Sequence, residues 1–505
     1  MTTTAPPEST ETVLPLDGTR PLGRDLVGGK AYSLNRMRSL GLPVPPAFAI
    51  TVDVCTAYHA GGTLPDDVWA QVLDHLAHLE ERTGRRFGGP GWPLLVSVRS
   101  GAARSMPGMM DTVLNLGLTA ELRDTLAEQS GDPAWAADTW ERFERSYSGI
   151  VGGPPPADPR EQLRAAIGAV FRSWFSPRAV SYREHHGITD LGGTAVTVQA
   201  MAFGNRDAES GTGVLFSRDP GTGEPGVYGE WLARAQGEDV VSGERTPARL
   251  DELARTQPGN HRELLRLAGV LEREYGDMVD VEFTIESGTL YVLQARAGKR
   301  TPGAAARIAV DLVGEGLIDV DTALTRVTPA QATQLLETAG AAEGVELARG
   351  TGAGPGLGVG QVVTDPDEAL DAADAGTAVV LVRPFTSPED VPAMFAAAAV
   401  VTEHGGSTSH AALVCREAGI PCVVGCGDGT VDALRGRLVT VDGTTGAVLD
   451  GDRASGAGTT VDGPAATLTE WAAARTGGDG ALPELLALVH STDPAEKQAG
   501  PPRGT

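Results

Sequence analysis

The sequence predicts an α+β multidomain protein in which a large first part is followed by a small, separate α/β domain. Three observations carry that prediction. Helical periodicity dominates to about residue 190. From Thr194 the apolar period falls to two. A Gly/Ala-rich break at 340–360 then precedes a stretch in which strands and helices alternate. The length agrees: 505 residues is about three domains at roughly 150 residues each, long enough for real cores without a metal or disulfide staple.

Residues 1–20 are rich in Thr, Pro and Glu and read as a disordered lead. The first residues, Met1 to Glu11, have no basic region and no apolar run, so they do not read as a signal peptide. In 31–40, Leu34, Met37 and Leu40 share one helical face, Gly41 caps its end and Pro43 prevents continuation. Helices are expected at 66–82, 119–150 and 160–186. Between the first two, an apolar strand at 94–98 enters a small-residue loop, 100–108.

Strands follow at 194–203, 212–217 and 226–235, then a hairpin of 279–285 and 289–295 around Glu286-Ser287-Gly288. Alternation puts Asp280 and Glu282 on one face and Val281, Phe283 and Ile285 on the other; Gln294 and Arg296 likewise share a face. A convergent polar site and a half-exposed sheet with a polar outer face both fit this pattern. Residues 303–339 read as helical. Beyond the break come strands at 360–364, 377–382 and 399–402, a helix at 410–418 and short strands to 449. Past Gly451 only helices around Trp471 and at 482–489 stand out.

The chain carries 41 basic and 66 acidic residues, a net charge of -25. A basic footprint for nucleic acid is absent, and an anionic membrane surface would repel the chain. The most apolar stretch, 393–401, is far shorter than the ~20 residues needed to span a bilayer. A soluble, cytoplasmic protein is expected. Cys55, Cys415, Cys422 and Cys426 match no paired zinc pattern and read as buried or spectator thiols. Only three lysines occur, Lys30, Lys299 and Lys497, so each one kept against an arginine-rich background is of interest.

Four clusters can carry chemistry. Gly28-Gly29-Lys30 opens a helix, where amides and an ammonium suit phosphate, although the same tripeptide is common in turns. Arg99 stands at a strand end before a loop containing Arg104, Ser105 and Gly108, whose donors could cover a polyphosphate; a surface loop with a structural arginine fits equally. Asp280, Glu282 and Gln294 offer oxygens for Mg²⁺ and Arg296 a planar donor fork, the groups that phosphoryl transfer from a nucleotide needs. The sharpest cluster runs from Thr402 to Ala412. A strand ends, Gly405 and Gly406 turn the chain, and His410 begins a helix. The helix dipole disfavours imidazolium there, and Thr408 and Ser409 can cap the helix and donate to phosphate oxygens. A locally hydrogen-bonded helix-start histidine is the plain alternative.

These motifs occur in one order, as GGKAYSLNRM, VSVRSGAARSMPGMMDTVLNLGL, TAVTVQAMAFGN, VDVEFTIESGTLYVLQARAGKRT and TEHGGSTSHAALVCREAGIPCVVGCGDG. In them the chain resembles the pyruvate phosphate dikinase family, with relatives in phosphoenolpyruvate synthase and rifampin phosphotransferase, over roughly residues 22–452. The resemblance implies an ATP-grasp nucleotide-binding domain of two subdomains at 21–339, a linker at 340–352, a small swivelling α/β phosphohistidine domain at 353–452, and a mostly disordered tail at 453–505. It implies that Lys30, Arg99, Asp280, Glu282, Gln294 and Arg296 bind ATP, with Glu282 and Gln294 on Mg²⁺. The loop residues Arg104, Ser105 and Gly108 would cover the phosphates. His410 would be phosphorylated amid Gly405, Gly406, Thr408 and Ser409. ATP would go to AMP with phosphate as a co-substrate, and the phosphoryl group would pass to pyruvate, giving phosphoenolpyruvate. A homodimer is compatible with this reading.

The chain departs from the family at three places. His404 stands where an arginine is usual, Arg104 falls one position later than expected, and TLTEWAAAR at 467–475 resembles the lead into a (β/α)8 barrel although only about thirty residues follow it. A barrel of ~250 residues does not fit there, so the expectation is a barrel supplied by another chain. A second implied reading is an antibiotic- or metabolite-type dikinase resembling rifampin phosphotransferase, but only about 45 residues after Thr301 lie where that relative places a substrate domain. A third, a non-catalytic ATP-binding relic, conflicts with the retention of Lys30, Arg99, Glu282, Gln294 and His410.

Overall fold

The computed structural model describes residues 11–104, 106, 111–185, 188, 192–241, 245, 247–337, 344–453 and 463–492. The chain divides into two compact units: Met1–Arg206 with Tyr291–Gln294, and Asp207–Leu290 with Ala295–Thr505.

The first unit is built on an antiparallel sheet in the order Val13–Pro15, Ala47–Ile50, Ala195–Ala200, Val96–Gly101, Thr112–Leu116. Phe48, Ile50, Val98, Val196 and Val198 from these strands pack against Phe143, Ile167 and Phe171 from the helices. The lead expected to be disordered to residue 20 is a strand from residue 13: Val13 pairs with Ile50, and Val13, Leu14 and Leu16 are buried. The helix expected at 119–150 is two helices, Ala120–Ser130 and Pro133–Val151. Gly131 ends the first at φ 67°, and Asp132 starts the second by accepting from the Trp135 amide. The 160–186 helix likewise divides, into Pro159–Ser173 and Pro177–His185.

The second unit holds another five-stranded sheet, in the order Ala248–Arg249, Pro225–Ala233, Gly211–Arg218, Val279–Glu286, Thr289–Ala297. Its carboxylate-bearing strand is not half-exposed. Every residue of Val279–Glu286 is buried except Glu282, which is partly so, so its polar face is covered as well as its apolar one.

The small α/β domain is an eight-stranded sheet whose centre is parallel: Leu357–Val363, Val379–Arg383, Ala399–Thr402 and Cys422–Val424 run side by side. Much of the segment expected as a linker at 340–352 belongs to this sheet, because Glu346–Arg349 pairs with Ala447–Asp450 and Thr351–Gly354 with Cys422–Val424. Glycines suited to a hinge here permit close strand approach instead: a Cβ on Gly350 would lie 2.4 Å from the Val424 carbonyl oxygen. The tail expected to be mostly disordered carries two helices, Pro464–Thr476 and Leu482–Thr492. Leu468, Leu482, Leu485, Leu486 and Val489 share a core with Ala305, Ala309, Leu324 and Val327 from the helices that precede the small domain. His490 Nε2 lies 3.2 Å from the carbonyl oxygens of Leu324 and Val327.

Leu486 is fully buried in that helical cluster. Leu486→Ala is expected to lower the opening free energy of the cluster by about 2–5 kcal/mol, read as faster hydrogen exchange in 482–492. Unchanged exchange would mean that this helix does not hold the cluster together.

Candidate functional site

In the first unit, the helix Arg24–Ser39 is interrupted at Gly28, which adopts φ 77° and ψ 162°. A side chain is excluded there, since a Cβ would stand 1.9 Å from the Gly101 carbonyl oxygen. Gly29 N–H donates to the Ala102 carbonyl at 2.9 Å. The two glycines thus seat the Lys30 turn on the end of strand Val96–Gly101. A Cβ on Gly101 would lie 3.7 Å from Lys30 Cβ, and alternation puts Arg99 on that same face. Lys30 and Arg99 therefore lie toward one face of that sheet. Arg104 is exposed just beyond. Ser105 and Gly108 lie outside the described residues.

In the second unit, Asp280 Oδ2 accepts from Arg296 Nε at 2.8 Å. Asp280 is 3% exposed. Burial pushes its carboxyl up from the ordinary value; the Arg296 guanidinium opposes this and the Glu282 carboxylate adds to it. Asp280 Oδ1 has no hydrogen-bond partner. Gln294 belongs to the segment Tyr291–Gln294 that groups with the first unit. Among the described residues no group of three or more His, Cys, Asp or Glu could hold a metal. The oxygen donors of Glu282 and Gln294 suit Mg²⁺, which takes few protein ligands and completes its shell with water and phosphate.

His410 and Thr386 stand beyond the carboxyl ends of neighbouring parallel strands, Ala399–Thr402 and Val379–Arg383. That end of an open α/β sheet is where ligand sites form. Thr386 Oγ1 lies 3.0 Å from His410 Nδ1. Burial depresses the imidazole pKa, opposed by the Asp390 and Glu389 carboxylates. His404, at the usual arginine position, has Nε2 3.3 Å from an Asp428 oxygen.

The loop between strand and helix holds a carboxylate. Glu230 Oε1 accepts from Ser407 N at 2.6 Å and Ser407 Oγ at 2.9 Å. Its Oε2 accepts from Thr408 N at 3.3 Å and Thr408 Oγ1 at 2.6 Å. Gly405 turns at φ 100°, and Gly406 admits the carboxylate, since a Cβ there would lie 2.3 Å from Glu230 Oε1. Thr408 and Ser409 do not cap the helix as expected. The Thr408 hydroxyl is bound to Glu230, while Ser409 at the cap position makes no side-chain bond to the helix and its Oγ has no partner.

Glu230, Thr386 and Arg416 are the polar residues of this region that sequence reasoning missed. An acidic residue directly before the apolar pair Trp231-Leu232, in a segment read as a strand, was a usable signal for Glu230. Nothing local marks Thr386 or Arg416.

Residues 24–64, 60–264 and 258–315 match the family described as pyruvate phosphate dikinase, AMP/ATP-binding domain, and residues 376–446 match PEP-utilising enzyme, mobile domain. The pyruvate, phosphate dikinase of Rhizobium meliloti (strain 1021) is 42% identical over 503 residues, covering 85% of this chain and 56% of that protein. Pyruvate, phosphate dikinase 2 of Zea mays is 43% identical and that of Clostridium symbiosum 40%, with the same two coverages. The chain thus spans little more than half the length of these relatives. With its nucleotide-binding and mobile-domain matches covering most of the sequence, the chain belongs to the pyruvate phosphate dikinase family.

Proposed function

We propose that this chain performs the nucleotide half of a dikinase reaction: ATP gives up its two outer phosphoryl groups and leaves as AMP, the β-phosphoryl stays on His410, the co-substrate phosphate accepts the γ-phosphoryl and leaves as pyrophosphate, and the phosphoryl group on His410 is then passed to pyruvate. The observation that carries the reading is the His410–Thr386 pair. With Nδ1 engaged by the Thr386 hydroxyl, the nitrogen left for attack is Nε2. Its lone pair is available when Nδ1 carries the proton and donates it to Thr386. Burial keeps the ring neutral, as a nitrogen nucleophile must be.

Lys30 and Arg99 are proposed to hold ATP phosphates and Arg296, oriented by Asp280, to meet the developing charge. Mg²⁺, held by Glu282 and Gln294, would neutralise phosphate charge. Arg104, Ser105 and Gly108 are assigned to the loop over the phosphates, and Gly405, Gly406, Thr408 and Ser409 to the surroundings of the phosphohistidine. The sheets among the described residues are open, so this reading places the pyruvate site on a barrel outside them.

Incubation with β-³²P-ATP, Mg²⁺ and phosphate is expected to leave acid-labile label on the protein, and His410→Ala to abolish it. An unlabelled wild type overturns the proposal; a labelled His410→Ala overturns the residue assignment. If ATP is consumed without label while another small metabolite is phosphorylated, the acceptor is that metabolite.

His410 is expected to titrate below the ordinary imidazole value of about 6.5, with Asp390→Asn lowering the midpoint further because its carboxylate favours the cation. The folded protein then binds fewer protons than the unfolded chain between the two values. This group therefore removes stability as pH falls from about 6.5 toward the folded midpoint, and no more below it. An NMR titration of the ring checks both; a midpoint above 6.5 refutes the burial argument.

A further inference from the structure

The helix that begins at His410 also carries Arg416, whose guanidinium is almost wholly buried. Its Nε donates to the Ala353 carbonyl at 3.1 Å and its Nη2 to the Ser407 carbonyl at 3.0 Å. Nη1 is buried and makes no hydrogen bond. Besides Cys422 of its own domain, the groups acting on it electrostatically are Tyr228, Asp280 and Glu230. These three belong to the strands Pro225–Ala233 and Val279–Glu286 of the nucleotide-binding sheet. Asp280 Oδ1 in turn has no partner. A buried cation and two buried carboxylates therefore share one region, and one open N–H and one open oxygen remain in it.

One peptide bond joins the charges. The Ser407 carbonyl accepts from Arg416, and the amide of the same peptide unit, Thr408 N–H, donates to Glu230. A cation on the oxygen side and an anion on the N–H side polarise a peptide in the same sense, so each strengthens the other's hydrogen bond. Ser407 N–H and the two hydroxyls add three more donors to the carboxylate.

We propose that Arg416 is a positioning residue that makes the Ser407–Thr408 loop a carboxylate receptor, so that the histidine-bearing domain is held on the nucleotide-binding sheet by an ion pair with Glu230 acting across one peptide bond. Because Arg416 and His410 lie on one short helix, fixing the guanidinium fixes where the histidine stands. Lysine retains the charge but cannot span both carbonyls with a planar fork, so it replaces arginine only in part. The consequence for phosphorylation rests on the reading of His410 above; the holding contact does not.

Hydrogen exchange of the peptide segment 405–409, in the full chain without nucleotide, tests the contact directly. Arg416→Gln and Glu230→Gln are each expected to raise exchange by about tenfold or more. The double variant should exchange no faster than the faster single one, since both act through one peptide. Unchanged exchange in Arg416→Gln, or effects that multiply in the double variant, overturn the proposal. Wild-type protection of Leu438–Asp442 checks that the domain is folded. If Arg416→Gln fails that check, Arg416→Lys is the variant read, with exchange between wild type and Glu230→Gln expected and wild-type exchange overturning the proposal.

Labelling separates positioning from damage to the histidine. Arg416→Lys should accept phosphoryl from phosphoramidate, a small chemical donor that needs no holding contact, at the wild-type rate. Its labelling by β-³²P-ATP should fall about tenfold or more. Equal losses with both donors overturn the positioning role. A wild type unlabelled by ATP defeats the proposed function and leaves the exchange result standing.

Discussion

A carboxylate taken out of water needs donors immediately around it, and a lone buried charge is among the most costly things a fold can contain. Glu230, 7% exposed, meets that requirement with donors from a loop 177 residues further along the chain. Much of the local sequence of the loop follows from it. Residue 406 must lack a Cβ, residues 407 and 408 must bring hydroxyls as well as amides, and a cation must stand behind them. The stretch that looks designed for phosphate is thus also a receptor for a side-chain anion. The two uses need the same chemistry, because amides near a helix start bind either kind of oxygen anion.

The histidine itself is governed by the architecture of its sheet. Parallel strands end together, and the loops leaving their carboxyl ends bring together side chains that are distant in sequence; Thr386 meets His410 in this way. The neutral ring was expected from the helix dipole. In the structure burial also depresses the ring's pKa, and two nearby carboxylates pull the other way. Asp390 also accepts from the Ser387 amide at 2.8 Å, so it shapes the threonine loop while countering the burial of the ring.

How much was legible in the sequence depended on whether the signal was local. Gly28-Gly29-Lys30 and the shared faces of Asp280 with Glu282 and of Gln294 with Arg296 show in short motifs, because a tight turn and a hairpin complete themselves within a few residues; that Arg296 pairs with Asp280 appears only in the structure. Val13–Pro15 did not, since three residues make a strand only against a partner at Ala47–Ile50. The Gly131-Asp132-Pro133 break was present in the letters but was overridden by the helical periodicity on either side. Glycines at 350–354 looked like a hinge because flexibility and close packing favour the same residue. Arg416 shows nothing in sequence: one arginine on an amphipathic helix resembles any other until its carbonyl partners are placed. The same holds for the terminal helices, whose leucines find their core only beside Leu324 and Val327.

The first and last strands of the small domain, Glu346–Arg349 and Ala447–Asp450, are antiparallel neighbours, and the helices before and after the domain share one core. The domain is therefore attached by two strands of chain that leave it side by side. A body on one tether tumbles through a volume; a body pinned at two adjacent points keeps one easy rotation, about the axle through both. Two adjacent attachments leave the small domain fewer ways to turn than one would, so less orientational entropy is lost when its Ser407–Thr408 loop holds Glu230.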